Sequence, residues 1–167
     1  MTKDASSETD LIRRAAGGCQ DAAGEIVSLY GGRILGFLNK RNASGSANED
    51  ILQETFIAAF ERLHTFDPSR SFSAWMFGIA RNKANEHYRT TGRIEQLHAQ
   101  ASDDRSPPES PSHQLDRREQ SALFWNRARQ LLNADQFECL WLRYQEELSI
   151  ADIAEALEKK VSAIKVA

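Results

Sequence analysis

Apolar residues recur along this chain at spacings of three and four, with no strand-like alternation, so the pattern predicts helices throughout. The small and polar stretch from Met1 to Thr9 is expected to be disordered. A first helix is expected from Asp10, a suitable N-cap, with Leu11, Ile12 and Ala15 on one face and an interruption at Gly17-Gly18. A second runs from about Ala22 to Lys40, its apolar positions being Ile26, Val27, Tyr30, Ile34, Leu35 and Leu38. Gly31-Gly32 weakens its middle by roughly 1 kcal/mol per glycine relative to alanine.

The clearest helix follows a loop at 42–47. Asn48 is placed to cap it, and Glu49 and Asp50 suit its positive N-terminal end. Ile51, Leu52, Thr55, Phe56, Ala59, Phe60 and Leu63 form one stripe, while Asp50, Gln53, Ile57 and Glu61 face away from it. After a turn at Phe66-Asp67-Pro68-Ser69, a further helix is expected from Ser71 to Arg89. Phe72, Met76 and Ile79 mark its apolar face, and Trp75 and Phe77 are assigned to the core. Arg81, Asn85, Tyr88 and Arg89 form a polar stripe on the other side.

The stretch 90–112 carries Asp103-Asp104, Pro107-Pro108 and Pro111 among polar residues, cannot bury a core, and reads as an extended linker. Helices resume at about Gln114 to Leu132, with Leu123, Phe124, Ala128, Leu131 and Leu132 apolar. Asn133 is a fitting N-cap for the next, whose core face is Phe137, Leu140, Trp141 and Tyr144. Ser149 followed by Asp152 makes a capping-box-like start for a short helix with Ile150, Ile153, Ala154 and Leu157 apolar. The expected fold is therefore all-α: two small helical domains, at 10–90 and 114–167, joined by a flexible linker at 91–113.

Charge narrows the possible roles. Residues 1–90 carry 11 Lys+Arg against 11 Asp+Glu, residues 91–115 carry 2 against 4, and residues 116–167 carry 8 against 9, a net of -3. A protein that grips DNA unaided shows a basic excess, and this one has none. Cys19 and Cys139 lie far apart with no ligand-spaced companions, so neither a disulfide framework nor a metal site is expected. Without a signal peptide or an apolar run of membrane-spanning length, the chain is expected to be cytoplasmic and not membrane-inserted.

Ser149 to Leu157, a short turn, and then Val161 to Lys165 have the layout of a helix-turn-helix. Ile153 and Leu157 are expected to pack against Val161 and Ile164. Ala154 permits close approach, and Ser162, Ala163 and Lys165 face a major groove. Glu158 occupies a turn position where glycine is common.

The segment LNADQFECLWLRYQEELSIADIAEAL…VSAIKV resembles region 4 of the sigma-70 family of RNA polymerase subunits. GRILGFLNKR resembles region 2.1. EDILQETFIAAFERLHTFDPSRSFSAWMFGIARNKANEHYR resembles regions 2.2 to 2.4. Order and spacing are similar to the extracytoplasmic-function (ECF) group, which keeps regions 2 and 4 with a short linker. The resemblance covers roughly residues 10–167 and implies a non-enzymatic promoter-specificity subunit without cofactors. Its implied partners are core RNA polymerase, promoter DNA and an anti-sigma factor.

At matching positions the resemblance implies that Asp50, Gln53 and Glu54 bind the clamp helices of the polymerase's largest subunit, with Phe56 supporting them from the buried stripe. It implies that Arg81, Asn82, Lys83, Asn85, Tyr88 and Arg89 open and read the -10 element. Arg and Lys suit phosphates, and Asn and Tyr suit exposed base edges and faces. Ser162, Ala163 and Lys165 would meet the -35 element, with region 4 expected to be truncated inside its recognition helix at Ala167. In the linker, Asp103, Asp104 and Glu109 are either phosphate mimics in a basic channel or simply solvated.

Two other roles stay open on the residues alone. One is a helix-turn-helix regulator with an N-terminal ligand or dimerisation domain, which predicts an apolar pocket or dimer face within 10–89. The other is a sigma-like decoy that titrates a partner. An enzymatic role has little support: Glu61-Arg62-Leu63-His64 is a lone ExxH where a di-iron bundle needs two, and no P-loop, nucleophile elbow or dinucleotide fingerprint is present.

Overall fold

The structure, a computed structural model, describes residues 3–41, 47–98 and 117–164. The described residues are helical, as expected, with no strand among them. In chain order the helices are α1 (Lys3–Ala16), α2 (Gln20–Arg41), α3 (Asn48–Arg62), α4 (Phe72–His98), α5 (Arg117–Leu131), α6 (Ala134–Tyr144), α7 (Ile150–Ala156) and α8 (Val161–Ile164). A 3-10 turn at Leu63–Thr65 follows α3. The linker residues Asp103, Asp104 and Glu109 lie outside the described residues, as does Lys165.

Three boundaries differ from the pattern-based reading. α1 begins at Lys3 rather than Asp10, so Asp10 is not a cap but pairs with Arg13 one turn on. The earlier start is anchored by Glu8, which accepts a hydrogen bond from the hydroxyl of the buried Tyr30 of α2. Burial, followed by that carboxylate, pushes the Tyr30 phenol well above its ordinary range. Asn48 does not cap α3 through its side chain. It is fully buried, donating to Asn39 Oδ1 at 2.8 Å and accepting from the Tyr88 hydroxyl at 3.2 Å. α4 continues beyond Arg89 to His98, since no proline intervenes before Pro107.

Other local signals act as the sequence suggests. Ser71 Oγ accepts from the Ala74 amide and starts α4. Asn133 and Gln136 form a reciprocal capping box at α6, and Ser149 and Asp152 another at α7. After α7, Glu158 takes a left-handed φ of 53°. Its amide donates to Glu155 O at 3.0 Å, and the Lys159 amide donates to Ala154 O at 2.8 Å. Together these are the two bonds of a Schellman motif, built here on glutamate in place of glycine.

The core runs through both halves of the chain. Ile26, Ile34, Phe37 and Leu38 of α2 meet Ile51 and Phe56 of α3 and Met76, Phe77 and Ala80 of α4. Each fully buried large side chain contributes about 1.5–3 kcal/mol by leaving water. Phe37 links the halves, with ring centroids 5.6 Å from Phe77 and 6.4 Å from Trp141 of α6. Trp141 in turn packs against Trp125 of α5, with ring centroids 4.7 Å apart and the planes tilted by 52°. Trp75 is half-buried against Phe66 and Phe72, and Phe77 is fully buried, so both belong to the core as expected.

Some face assignments shift. Val27 is exposed while Phe37, absent from the expected stripe, is buried. In α6, Tyr144 is 72% exposed and Leu142 takes its place inside, because α6 is covered from two sides, by α5 and by α7. Ile150 and Val161 are exposed, so the helix-turn-helix packs through Ile153, Leu157 and Ile164 without them. Among the described residues α8 is one turn long, and none of its side chains is buried.

Candidate nucleic-acid interface

The outward face of α3 is polar at its start and apolar at its centre. Asp50, Gln53 and Glu54 are exposed, and Ile57, one turn further, is 58% exposed beside them. The stripe on the opposite side buries Ile51, Thr55, Phe56 and Ala59, so packing fixes which residues α3 presents to solvent. Phe56 is buried in that stripe, in its expected supporting place. Ile57 was not singled out as a contact residue; an apolar side chain on an otherwise charged face was the available signal.

The six residues expected on α4 do not share one open face. Arg81 is drawn toward α6, where Nε donates to Glu138 Oε2 at 2.7 Å and Nη2 lies 3.4 Å from Asp135 Oδ1. Asn82 donates to Glu158 Oε1 at 3.1 Å, in the turn after α7. Lys83 lies between Glu86 at 3.4 Å and Glu54 of α3 at 3.9 Å, bringing an expected DNA-binding residue beside an expected polymerase-binding one. Asn85 is exposed and accepts from Arg41 of α2. Tyr88 is half-buried and tied to Asn48, while Arg89 is exposed.

Two levels of order follow. Asn85 and Arg89 are one turn apart on the accessible surface of α4, and Tyr88 flanks them with its hydroxyl anchored. Arg81 is partly covered by the C-terminal half of the chain, while Asn82 stays exposed and touches that half through Glu158. Glu138, which holds Arg81, escaped sequence reasoning altogether. It is fully buried, and Arg41 Nε lies 2.7 Å from its other oxygen as an ion pair, off the hydrogen-bond direction. A single glutamate between apolar neighbours in FECLWL gives no sign of two arginines arriving from far away in sequence.

In the helix-turn-helix, Ser162 and Ala163 are exposed on α8 as expected. Beside it, an open groove of about 420 Å³ runs between α6 and α7, lined by Leu132, Cys139, Leu140, Tyr144, Ile150 and Ile164. Burial in that wall pushes the Cys139 thiol above its ordinary range. Among the described residues, no helix is long and apolar enough to cross a membrane.

The comparisons with known proteins agree with this layout. The Sigma-70 region 2 family matches residues 26–94, and Sigma-70, region 4 matches residues 126–167. The ECF RNA polymerase sigma factor BldN of Streptomyces coelicolor is 30% identical over 164 residues, 97% of this chain and 62% of that protein. ECF RNA polymerase sigma factor SigD of Mycobacterium tuberculosis is 26% identical over an alignment covering all of this chain and 81% of that protein. RNA polymerase sigma factor CnrH of Cupriavidus metallidurans is 37% identical over 79 residues, 47% of this chain and 41% of that protein. The chain thus spans less than two thirds of the length of BldN and CnrH. Among solved structures, CnrH in complex with the cytosolic domain of CnrY superposes with a TM-score of 0.67 at 24% identity, covering 95% of this chain and 88% of that one. The sigma factor RpoE in complex with the anti-sigma factor NepR from Bartonella quintana gives 0.68 at 21%, covering 86% and 87%. At those identities the structural likeness speaks for the fold. The chain belongs to the sigma-70 family, in its ECF group, and carries that family's regions 2 and 4.

Proposed function

We propose that this chain directs transcription initiation as a promoter-specificity subunit of bacterial RNA polymerase, acting in the cytoplasm and carrying no catalytic centre of its own. Residues 10–90 serve as region 2, residues 91–113 as the linker and residues 114–167 as region 4. One observation carries the reading: an exposed Asp50-Gln53-Glu54 face on α3 lies directly beside a helix bearing Arg81, Asn82, Lys83, Asn85, Tyr88 and Arg89, within the segment that matches region 2. Hydrogen-bond acceptors on one helix suit a basic partner helix, while cations, amides and an aromatic on the next suit a strand of unstacked DNA.

In this reading Asp50, Gln53 and Glu54 hold core polymerase, with Ile57 adding apolar contact area. Asn85 and Tyr88 meet bases, while Arg81, Lys83 and Arg89 meet phosphates. Ser162, Ala163 and Lys165 face the -35 element. An anti-sigma factor is the natural antagonist, as NepR is the partner in the RpoE structure and CnrY in the CnrH structure.

The test is transcription in vitro of fragmented genomic DNA by core polymerase with and without the chain, mapping the new 5′ ends. New starts that share upstream elements support the proposal; identical maps sink it. With a promoter from that set, Asn85→Ala and Arg81→Ala reduce strand opening and leave core binding intact. If core binding falls instead, the assigned faces are wrong. A ligand- or dimer-controlled regulator would shift DNA fragments without core polymerase, and a decoy would bind core yet add no starts.

A further inference from the structure

Arg41 is the last residue of α2, and one turn before it Phe37 and Leu38 are fully buried. Packing therefore fixes where its stem emerges. Its side chain is 10% exposed, with Nε 2.7 Å from Glu138 Oε1. The other end of the guanidinium, Nη2, donates to Asn85 Oδ1 of α4. Arg41 and Asn85 both lie in the segment matched to region 2, so their pairing needs no contribution from region 4.

The bond sets the polarity of the Asn85 amide. A guanidinium donates and never accepts, so the atom that faces Arg41 is the carbonyl oxygen. Turning the amide over would set its NH2 against the guanidinium, donor against donor, and forfeit the bond. Asn85 is exposed, so Nδ2 is the atom it presents outward, without a partner among the described residues. A side chain able to read either kind of group is thereby committed to donating.

Its surroundings reinforce the bias. Arg89, one turn on, is exposed and offers donors alone. Tyr88 gives its hydroxyl proton to Asn48. The Glu86 carboxylate, the acceptor nearest in sequence, is turned to Lys83 at 3.4 Å. Bases differ in what they show to such a surface. Guanine presents O6 and thymine O4, both acceptors, where adenine and cytosine present an amine. A free asparagine amide suits adenine, through one donated and one accepted bond, and an amide whose oxygen is already held loses the second.

We infer that Arg41 is a specificity-determining positioning residue: by holding the Asn85 oxygen it makes α4 select a keto base, guanine or thymine, over an amino base at the position Asn85 meets. This rests on the reading of α4 as the helix that reads DNA. Arg41 acts through Asn85 and needs no contact with DNA of its own.

The test is transcription in vitro by core polymerase with the whole chain, on a promoter from the mapped starts whose start-proximal upstream element is randomised. Sequencing the transcribed templates gives the base preference at each position. Asn85→Ala locates the relevant position as the one whose preference it erases. The expected result is that the parent favours keto over amino bases there by about fivefold, the ratio that one hydrogen bond supplies. Arg41→Ala frees the amide oxygen and shifts the position toward adenine. Arg41→Lys, which still donates to that oxygen, keeps the keto preference. A merely structural role for Arg41 would lower transcription from all templates alike and move no preference.

A parent preference for amino bases at that position overturns the inference, as does a preference that Arg41→Ala leaves unchanged. Arg41 also holds Glu138, so should Arg41→Ala lose its helical circular dichroism, Asn85→Asp decides. Its carboxylate only accepts and is expected to reverse the preference toward amino bases; a retained keto preference overturns the inference. Failure here is separable from failure of the functional reading. If Asn85→Ala erases a preference of the wrong kind, α4 reads DNA and only the role of Arg41 is wrong. If it erases none, the assignment of Asn85 to bases falls and the inference falls with it.

Discussion

The Tyr88 hydroxyl donates to Asn48 Oδ1 at 3.2 Å, fastening the far part of α4 to the first residue of α3. Asn48 completes the link by donating to Asn39 of α2. Three helices therefore meet at one buried amide, close to the side chains assigned to DNA. Asn48→Ala should destabilise the protein by about 2 kcal/mol, because it removes two hydrogen bonds and leaves a cavity where the buried amide stood. Tyr88→Phe, which removes one hydroxyl at a half-exposed site, should cost about 1 kcal/mol or less. Urea titrations of both variants check the order; equal losses would show that the amide does not carry the junction.

Backbone strain gives a prediction of opposite sign. Glu147 and Glu158 adopt left-handed φ values of 55° and 53°. A side chain there costs about 1–2 kcal/mol, against roughly 0.5–1 kcal/mol for the extra freedom a glycine loses on folding. Glu147→Gly and Glu158→Gly should each stabilise by up to about 1 kcal/mol, raising Tm by about 2–4 °C. Glu147→Ala should give no such gain, since its Cβ keeps the clash. Thermal melts decide, and a fall in Tm for both glycine variants would contradict the strain.

Acid sensitivity follows from Asp135. The Lys159 ammonium that donates to it, and then Arg81, hold this carboxyl below its ordinary value of 3.8. A depressed folded value means the contribution is present above the unfolded pKa and is lost as pH falls through the folded one. The stability advantage of the parent over Asp135→Asn should therefore be full at pH 6 and shrink below about pH 4. Urea midpoints at several pH values measure it; an advantage independent of pH would assign the effect to packing instead.

How far the sequence reveals this depends on the range of each signal. The Asn133-Gln136 and Ser149-Asp152 boxes are local hydrogen-bond patterns, and both appear where the residues announce them. The α3 stripe is similarly plain, because a single apolar face of the helix is buried, against α2 and α4. The misreadings arise where distant contacts decide. Asn48 is a good cap by type, yet Asn39 and Tyr88 offer it buried partners instead. Tyr144 fits the core spacing of α6, but coverage from two sides turns Leu142 inward and Tyr144 out. Helical periodicity places Arg81 on a polar face without revealing that Glu138, 57 residues later, waits there. Arg81 and Asn82 were thus legible as chemistry, and their engagement by region 4 was not.

The central claim is that the α3 face docks this chain on RNA polymerase. Its most direct test is a titration against purified bacterial core enzyme, with Asp50→Lys alongside. Asp50 is exposed, so the reversal leaves the fold in place and acts on the contact. The account predicts tight, saturable binding by the parent and a loss of at least about tenfold in the variant, equivalent to roughly 1.4 kcal/mol. A folded parent that does not bind core, or a variant that binds as well as the parent, would contradict it.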